Sequence, residues 1–223
     1  MELRISDVIR AKAPALKVLA VTARVSNPPT GDRLWAELTA CAAGVRDSYA
    51  MEWVNKRPAI AATRAAYKAC GKEPNRYRPS CEALMRRMVK GLELYRTLTV
   101  IDLINLLSVE TGHSIGGFDA DRIVGDVVTL GIGCEGEPYE AIGRGPLNIA
   151  GMPVWRDSVG GIGTPTSDNE RTKLSEDTRN LLMIINMYGT EKSIDDIKAL
   201  TVRLLEDYAG ATDIAFALLR STD

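Results

Sequence analysis

The sequence predicts an α+β fold, and two observations carry that prediction. Helical patterns fill most of the first half of the chain, whereas short strand patterns separated by glycine-rich turns prevail from residue 123 onward. The C-terminal part then runs strand, helix, strand. Because helices and strands are segregated along the chain, this order favours α+β over a doubly wound sheet. With 223 residues, 45% of them hydrophobic, the chain is long enough for one core-bearing domain.

The first 70 residues carry one strand pattern among helical ones. Ser6 precedes a short helix that we expect to end before Pro14. The loosely alternating run at 16–25 is rich in β-branched residues and predicts a strand. The alanine-rich stretches 32–50 and 58–70 predict helices.

Two more helices are predicted after a basic loop over 71–79. Apolar residues recur at helical spacing over 80–90 and again over 99–112. Thr99 and Asp102 form a capping-box-like pair at the start of the second helix, and Gly112 is its expected C-terminal cap. Downstream, strands are predicted at 123–130, 139–143, 153–157, 181–186 and 213–219, with a helix over 193–207.

Composition argues against several classes of protein. The longest apolar runs, such as 181–186, fall far short of the roughly 20 residues that span a bilayer, and the N-terminus lacks the features of a secretory signal. The four cysteines have no C-x-x-C spacing, and His113 is the only histidine, which argues against a zinc site or a disulfide framework. We therefore expect a cytoplasmic protein with no membrane association and no metal.

Basic residues are concentrated in one segment although the whole chain has a net charge of −1. Residues 56–96 hold eleven Lys and Arg but three Glu, a local net charge of +8 against −9 for the rest. An excess of this size attracts polyanions such as nucleic acid. The alternative is a solvated helical face, and charge alone does not decide between the two.

One glycine-rich motif is a poor cofactor site. Gly131 to Gly136 match G-x-G-x-x-G after a predicted strand, but a dinucleotide site also needs a helix to follow, and residues 138–142 predict a strand. A hairpin turn is the better interpretation. We expect no cofactor.

Two polar clusters are candidates for chemistry. The helix over 99–112 is apolar nearly all round and should be buried, yet Asp102, Asn105 and Ser108 form a polar stripe at steps of three residues. Buried polar groups need partners, so the stripe faces either an internal network or a ligand. The second cluster is the polar loop 166–178, just before the strongest strand, which is either a binding loop or a plain exposed one.

These features come together in a family resemblance. The segments RYRPSCEALMRRM (76–88), IDLINLLSVETGHSIGGFDADRI (101–123) and SDNERTKLSEDTRNLLMII (167–185) resemble the tRNA-binding and editing (B-three/B-four) domain of the phenylalanyl-tRNA synthetase β subunit, and more closely its freestanding relatives. The resemblance covers about 76–188. It implies mixed sheets and helices in a layered β/β/α arrangement, in a single domain over 1–223 with an N-terminal α/β extension (1–75) and a core (76–223).

The family domain hydrolyses tyrosine wrongly attached to the phenylalanine tRNA. By resemblance, Asn105 lines the site for the aminoacyl group, and Glu170, or Arg171 one residue further on, corresponds to the glutamate that recognises the misplaced side chain. Gly116 stands where the synthetase has a histidine, and Ile104 where it has a threonine, so the amino acid is left open.

The expected site follows from these correspondences. An aminoacyl ester is already activated and needs an oriented water and a polarised carbonyl, which Asn105 and backbone amides near Gly116 and Gly117 are expected to supply. The predicted site residues are Asn105, Glu170 and His113 for catalysis, Gly116, Gly117, Arg171 and Asp102 for substrate binding, and Arg76, Arg78, Arg86 and Arg87 for tRNA.

Three functions remain open on the sequence. The first is a deacylase that acts in trans on mischarged aminoacyl-tRNA. The second is a module that binds tRNA or an amino acid without turnover, and the third is a metabolic enzyme or sensor that reuses the pocket. The basic segment favours the first two, Gly116 favours the last two, and the oligomeric state is open.

Overall fold

Six α-helices and ten β-strands form within residues 1–222, the part of the chain that this computed structural model describes. The helices are Asp7–Lys12 (α1), Asp32–Ser48 (α2), Pro58–Cys70 (α3), Ser80–Val89 (α4), Thr99–Thr111 (α5) and Ile194–Ala209 (α6). The strands are Glu2–Ile5 (β1), Lys17–Arg24 (β2), Ser114–Asp119 (β3), Val127–Ile132 (β4), Glu140–Ala141 (β5), Gly145–Pro146 (β6), Pro153–Arg156 (β7), Gly161–Gly163 (β8), Asn180–Met187 (β9) and Thr212–Arg220 (β10).

The strands form two four-stranded sheets and one small hairpin. The central sheet has the antiparallel order β10-β2-β9-β3, which makes β3 an edge strand. The outer sheet has the order β1-β4-β7-β8, in which β1 runs parallel to β4. Strands β5 and β6 pair with each other.

Alternation along the central strands explains the layering. Because successive side chains of a strand point to opposite faces, Leu19 and Val21 of β2 pack among the helices, whereas Val18 and Ala20 pack against the outer sheet. Strand β9 does the same and is buried over seven of its eight residues. The result is outer sheet, central sheet, helices, which confirms the predicted α+β fold and its β/β/α layers.

Most predicted elements are present, but some were missed. The strands β1, β3, β6 and β8 were not predicted, and the last three contain glycine. The capping pair predicted at Thr99 and Asp102 is wrong, because Asp102 instead accepts hydrogen bonds from the backbone and side chain of Thr97. Gly112 does end α5 in the left-handed conformation, at φ 78°.

No helix within residues 1–222 has the length and hydropathy needed to cross a bilayer.

Candidate functional site

The buried helix α5 turns part of its polar stripe toward a cavity of about 600 Å³. Asn105 and Ser108 line this cavity together with Ile101 and Ile104. Asp102, at the same spacing, lies outside it, since its carboxylate accepts hydrogen bonds from Thr30 at 2.6 Å and from Thr97. The stripe therefore divides into an internal network at Asp102 and a cavity-facing portion at Asn105.

Other elements of the chain also line the cavity. Helix α4 contributes Ser80 and Leu84, and the edge strand β3 contributes Ile115 and Gly117. The polar loop and the β5–β6 hairpin contribute further lining residues. The polar loop residues that line the cavity are Thr166, Ser167, Asp168, Lys173 and Leu174, those of the hairpin are Ile142 and Arg144, and Thr164 lines it just before the loop.

Two buried tyrosines hold the polar loop in place. The hydroxyl of Tyr67 forms a hydrogen bond with that of Thr166 at 2.8 Å, and the hydroxyl of Tyr139 donates to the carbonyl of Ser167 at 2.7 Å. Both tyrosines are almost fully buried. Because these two hydrogen bonds fix Thr166 and Ser167, the adjacent Asp168 is held at the cavity wall.

Asp168 is the carboxylate of the cavity. Its Oδ2 accepts the backbone N–H of Gly117 at 3.1 Å, from the outer edge of β3. Burial raises the pKa of Asp168 to about 7, and the Gly117 N–H opposes that shift by favouring the charged form. The carboxyl group therefore changes charge near neutral pH.

Glycines leave the space that Asp168 occupies. A Cβ on Gly163 would lie 2.8 Å from Asp168 Oδ1 and 2.5 Å from the ring of Phe118. A Cβ on Gly116 would lie 2.6 Å from the same ring and 3.2 Å from Asp168 Oδ1. Since Phe118 is fully buried, its ring has no room to retreat. Both glycines are thus required by close approach and not by backbone conformation.

The predicted residue Glu170 lies beside the cavity wall and not on it. Its carboxylate accepts a hydrogen bond from Lys173, which does line the cavity, and a weaker one from the N–H of Gly143 at 3.3 Å. The bond from Lys173 lowers the pKa of Glu170. Glu170 therefore positions the ammonium group of Lys173.

A basic groove of about 540 Å³ opens beside the cavity. The groove and the cavity share part of their walls, so they lie side by side. The shared residues are Ser80, Leu84, Asn105, Arg144 and Thr166, and the basic residues of the groove are Arg78, Arg86, Arg87, Lys90 and Arg144.

The basic segment is more neutralised than its composition suggests. Glu82 is fully buried and pairs with both Arg64 and Arg86 at 2.8 Å. Lys72 is also withdrawn, because its ammonium group donates to the carbonyls of Asn148 and Ala150. Of the four arginines predicted to meet tRNA, Arg78, Arg86 and Arg87 line the groove. Arg76 does not, and its guanidinium lies 5.6 Å from the ring centroid of Tyr77.

Two other predicted site residues serve the fold. Arg171 pairs with both oxygens of Asp157, at 2.9 and 2.7 Å, and lies outside the cavity lining. His113 is fully buried, and burial lowers its pKa to about 4. It does not line the cavity either, although its carbonyl accepts a hydrogen bond from Ser108, which does.

The remaining predictions divide between cavity and sheet. Gly117 lines the cavity, but its amide is already engaged by Asp168, and Gly116 pairs with Ile184 in the central sheet. Asp168, Lys173 and Arg144 were not singled out from the sequence. The polar cluster at 166–178 indicated the loop of the first two, whereas nothing in the sequence indicated the hairpin position of Arg144.

No group of three or more His, Cys, Asp or Glu side chains within the described range is arranged to hold a metal ion.

Comparisons with known proteins identify one matching family and one similar solved structure. The model of the B3/4 domain family matches residues 62–203. Among solved structures, an N-terminal fragment of the phenylalanyl-tRNA synthetase β-subunit from Pyrococcus horikoshii is similar, at 11% sequence identity and a TM-score of 0.45. The alignment covers 95% of this chain and 49% of that one, so this chain spans about half its length. A comparison with curated proteins found no match.

Proposed function

This chain belongs to the B3/4 domain family, and we propose that it binds aminoacyl-tRNA and hydrolyses the ester of mischarged aminoacyl-tRNA in trans. The observation that carries the proposal is the shared wall between the basic groove and the cavity. A nucleic acid backbone in the groove would be held by arginine and lysine. The 3′ end of the tRNA, to which the aminoacyl group is attached, would then enter the cavity.

The cavity has the size and lining of a small-molecule site. Binding pockets for small ligands occupy roughly 300–1,000 Å³ and combine apolar walls with a few polar groups. About 600 Å³ lined by Ile101, Ile104 and Leu174 suits an apolar side chain of moderate size. Asn105, Asp168 and Lys173 supply the polar groups that orient the ester.

Asp168 is the group we assign to the α-ammonium of the substrate. Every aminoacyl ester carries this amine, and a desolvated carboxylate gains more from a positive partner than an exposed one does. Binding of an ammonium group would lower the pKa of Asp168 again and keep it charged. The contact recognises the aminoacyl group whatever its side chain.

The hydrolysis itself needs little beyond orientation. Water attacks the ester carbonyl carbon, and the bond from that carbon to the ribose oxygen breaks. The ribose oxygen takes the proton that the attacking water gives up, so the products are the free amino acid and the tRNA with its free hydroxyl. The amide of Asn105 and the ammonium of Lys173 are the donors we assign to the carbonyl oxygen as negative charge develops there. Since the ester is activated, positioning accounts for most of the rate.

The alternative is a module that binds tRNA or a free amino acid without turnover. Two observations favour it. His113, predicted for catalysis, lies outside the cavity, and the Gly117 amide predicted to polarise the ester already donates to Asp168. Asp168 and Asn105 would serve binding equally well.

A panel of aminoacyl-tRNAs, correctly and incorrectly charged, separates the two functions. Release of amino acid above the spontaneous rate, lost in Asn105→Ala, supports the deacylase. Salt-sensitive tRNA binding without release supports the binding module. Absence of both, with no tRNA affinity at low salt, contradicts the whole proposal.

A further inference from the structure

An aromatic side chain stands exposed where the cavity opens. Tyr95 lies in the segment 90–98 between α4 and α5, and 73% of its surface is exposed. It also lines the cavity. Aromatic side chains are usually buried for most of their area, so packing within this chain does not account for its position.

One face of the Tyr95 ring is covered by an arginine of the basic groove. The guanidinium carbon of Arg87 lies 4.4 Å from the ring centroid, within the range of a cation–π contact. The Nε of Arg87 also donates to the carbonyl of Glu93 at 2.7 Å, which ties this arginine to the segment that carries the tyrosine. Because two contacts orient Arg87, it supports the ring from one side.

The pair bridges the two parts of the site. Tyr95 lines the cavity, whereas Arg87 lines the groove. A group bound to the pair would therefore sit between a nucleic acid backbone in the groove and an ester in the cavity. The exposed Leu92, at 50% exposure, lies on the groove wall nearby and extends the apolar surface.

We propose that Tyr95, backed by Arg87, is a stacking platform for the unpaired base of the nucleotide that carries the aminoacyl ester. This inference rests on the proposed function, because it takes the ester to lie in the cavity. The terminal base is joined to the ribose that bears the ester, so it must lie at the cavity mouth. Bases of single-stranded nucleic acid stack on aromatic rings, and such contacts tolerate any base.

The platform explains how the protein would distinguish a base-paired duplex from an unpaired 3′ end. A paired base already stacks on its neighbours and cannot offer its face to a protein side chain, whereas an unpaired terminal base can. The arginine beneath the ring also presents charge to the adjacent phosphate. Together the two residues select a single-stranded 3′ end for delivery to the cavity.

The test compares two forms of one tRNA on three proteins. Intact tRNA, and the same tRNA with its unpaired 3′ nucleotides removed, are bound at low salt to the native chain, to Tyr95→Ala and to the control Tyr95→Phe. We expect Tyr95→Ala to weaken binding of intact tRNA by about 5- to 100-fold, Tyr95→Phe to bind like the native chain, and truncated tRNA to bind all three equally. Circular dichroism verifies that the variants fold.

Each other outcome is decisive. If Tyr95→Ala binds intact tRNA as tightly as the native chain does, the platform is wrong while tRNA binding stands. If Tyr95→Ala weakens binding of truncated tRNA by the same factor as binding of intact tRNA, Tyr95 contacts the duplex and the inference is again wrong. If the native chain binds neither form, the proposed function fails and the platform fails with it.

Discussion

The backbone N–H of Gly117 donates to the carboxylate of Asp168 at 3.1 Å, and this bond joins the outer edge of β3 to the polar loop. An edge strand leaves alternate backbone groups without a strand partner. Here the polar loop satisfies one such group, and the bond fixes the Asp168 carboxylate in the cavity that Asn105 also lines. The candidate site is therefore built where the central sheet ends.

The charge of Asp168 should make stability depend on pH. Its pKa rises from 3.8 in the unfolded chain to about 7 in the folded one, so the folded state binds the proton more tightly between those values. Stability is therefore lost as pH rises from about 4 to about 7. We expect Asp168→Asn to be more stable than the native chain by about 1–3 kcal/mol at pH 8, with the difference vanishing near pH 4.

Urea unfolding of both proteins at pH 4 and pH 8 measures this difference. Asp177→Asn, which removes an exposed carboxylate from the same loop, is the control and should change stability equally at both pH values. A pH-independent effect of Asp168→Asn would show that the Asp168 carboxyl is not buried as described.

The contact between Asp168 and the substrate amine can be tested with the substrate. N-acetylation of an aminoacyl-tRNA removes the positive charge without altering the ester. The native chain should hydrolyse the free-amine form about 10- to 100-fold faster than the acetylated form, since hydrogen-bonded charged groups contribute about 1.5–3 kcal/mol. Asp168→Asn should hydrolyse the two at similar rates. Equal discrimination by both proteins would remove Asp168 from the substrate contact.

If the basic groove binds the tRNA backbone, its arginines should contribute to the salt dependence of tRNA binding. Removal of one phosphate contact reduces the slope of log K against log salt by about one. We expect Arg144→Gln to produce that change and to weaken binding at low salt. Arg24→Gln, an exposed arginine at the end of β2, is the matched control and should leave the slope unchanged. Identical slopes for the two variants would place the nucleic acid elsewhere.

Substitution of the glycines that lie next to Asp168 should destabilise the fold. In Gly163→Ala the new methyl group would lie 2.5 Å from the Phe118 ring, and overpacking of this kind costs about 1–3 kcal/mol of unfolding free energy. Gly44→Ala in helix α2 is the counterpart, since a Cβ there would meet no heavy atom within 4 Å beyond its chain neighbours and its own helix backbone, and it should stabilise by about 0.5–1 kcal/mol. Thermal unfolding measures both, and a neutral Gly163→Ala would show that the ring can move.

Local patterns predicted the helices and most strands of this fold. The helices α2 to α6 follow from alanine content and apolar spacing, which depend only on neighbouring residues. Strand β3 was missed because SIGGFD contains two glycines and becomes a strand only by pairing with β9. Strand β1 is four residues long and pairs with β4, more than 120 residues away. Such pairings leave no mark on the local sequence.

The site was predictable only in part. The polar stripe on α5 indicated Asn105, because a polar residue on a buried helix must meet a partner. The loop at 166–178 was also indicated, but not which of its side chains faces inward. Asp168 does so because glycines on β3 and β8 leave room for it, and that relation exists only in three dimensions.

The family assignment extends further than the segments that suggested it. The predicted resemblance is confirmed by the B3/4 domain match, which spans 62–203 instead of 76–188. The additional residues include most of α3 and α6. Motif resemblance found the polar segments, whereas the flanking helices are recognisable only through the pattern of the whole domain.

The most direct test of the site is the single-turnover rate of hydrolysis of a mischarged aminoacyl-tRNA by Asn105→Asp. This variant keeps the size of the side chain but replaces the amide donor by an acceptor. Asn148→Asp makes the same change at an exposed residue outside the cavity and is the control. We predict that Asn105→Asp lowers the rate at least tenfold while Asn148→Asp leaves it unchanged. Equal rates for the two variants would contradict the assignment of the ester to this cavity.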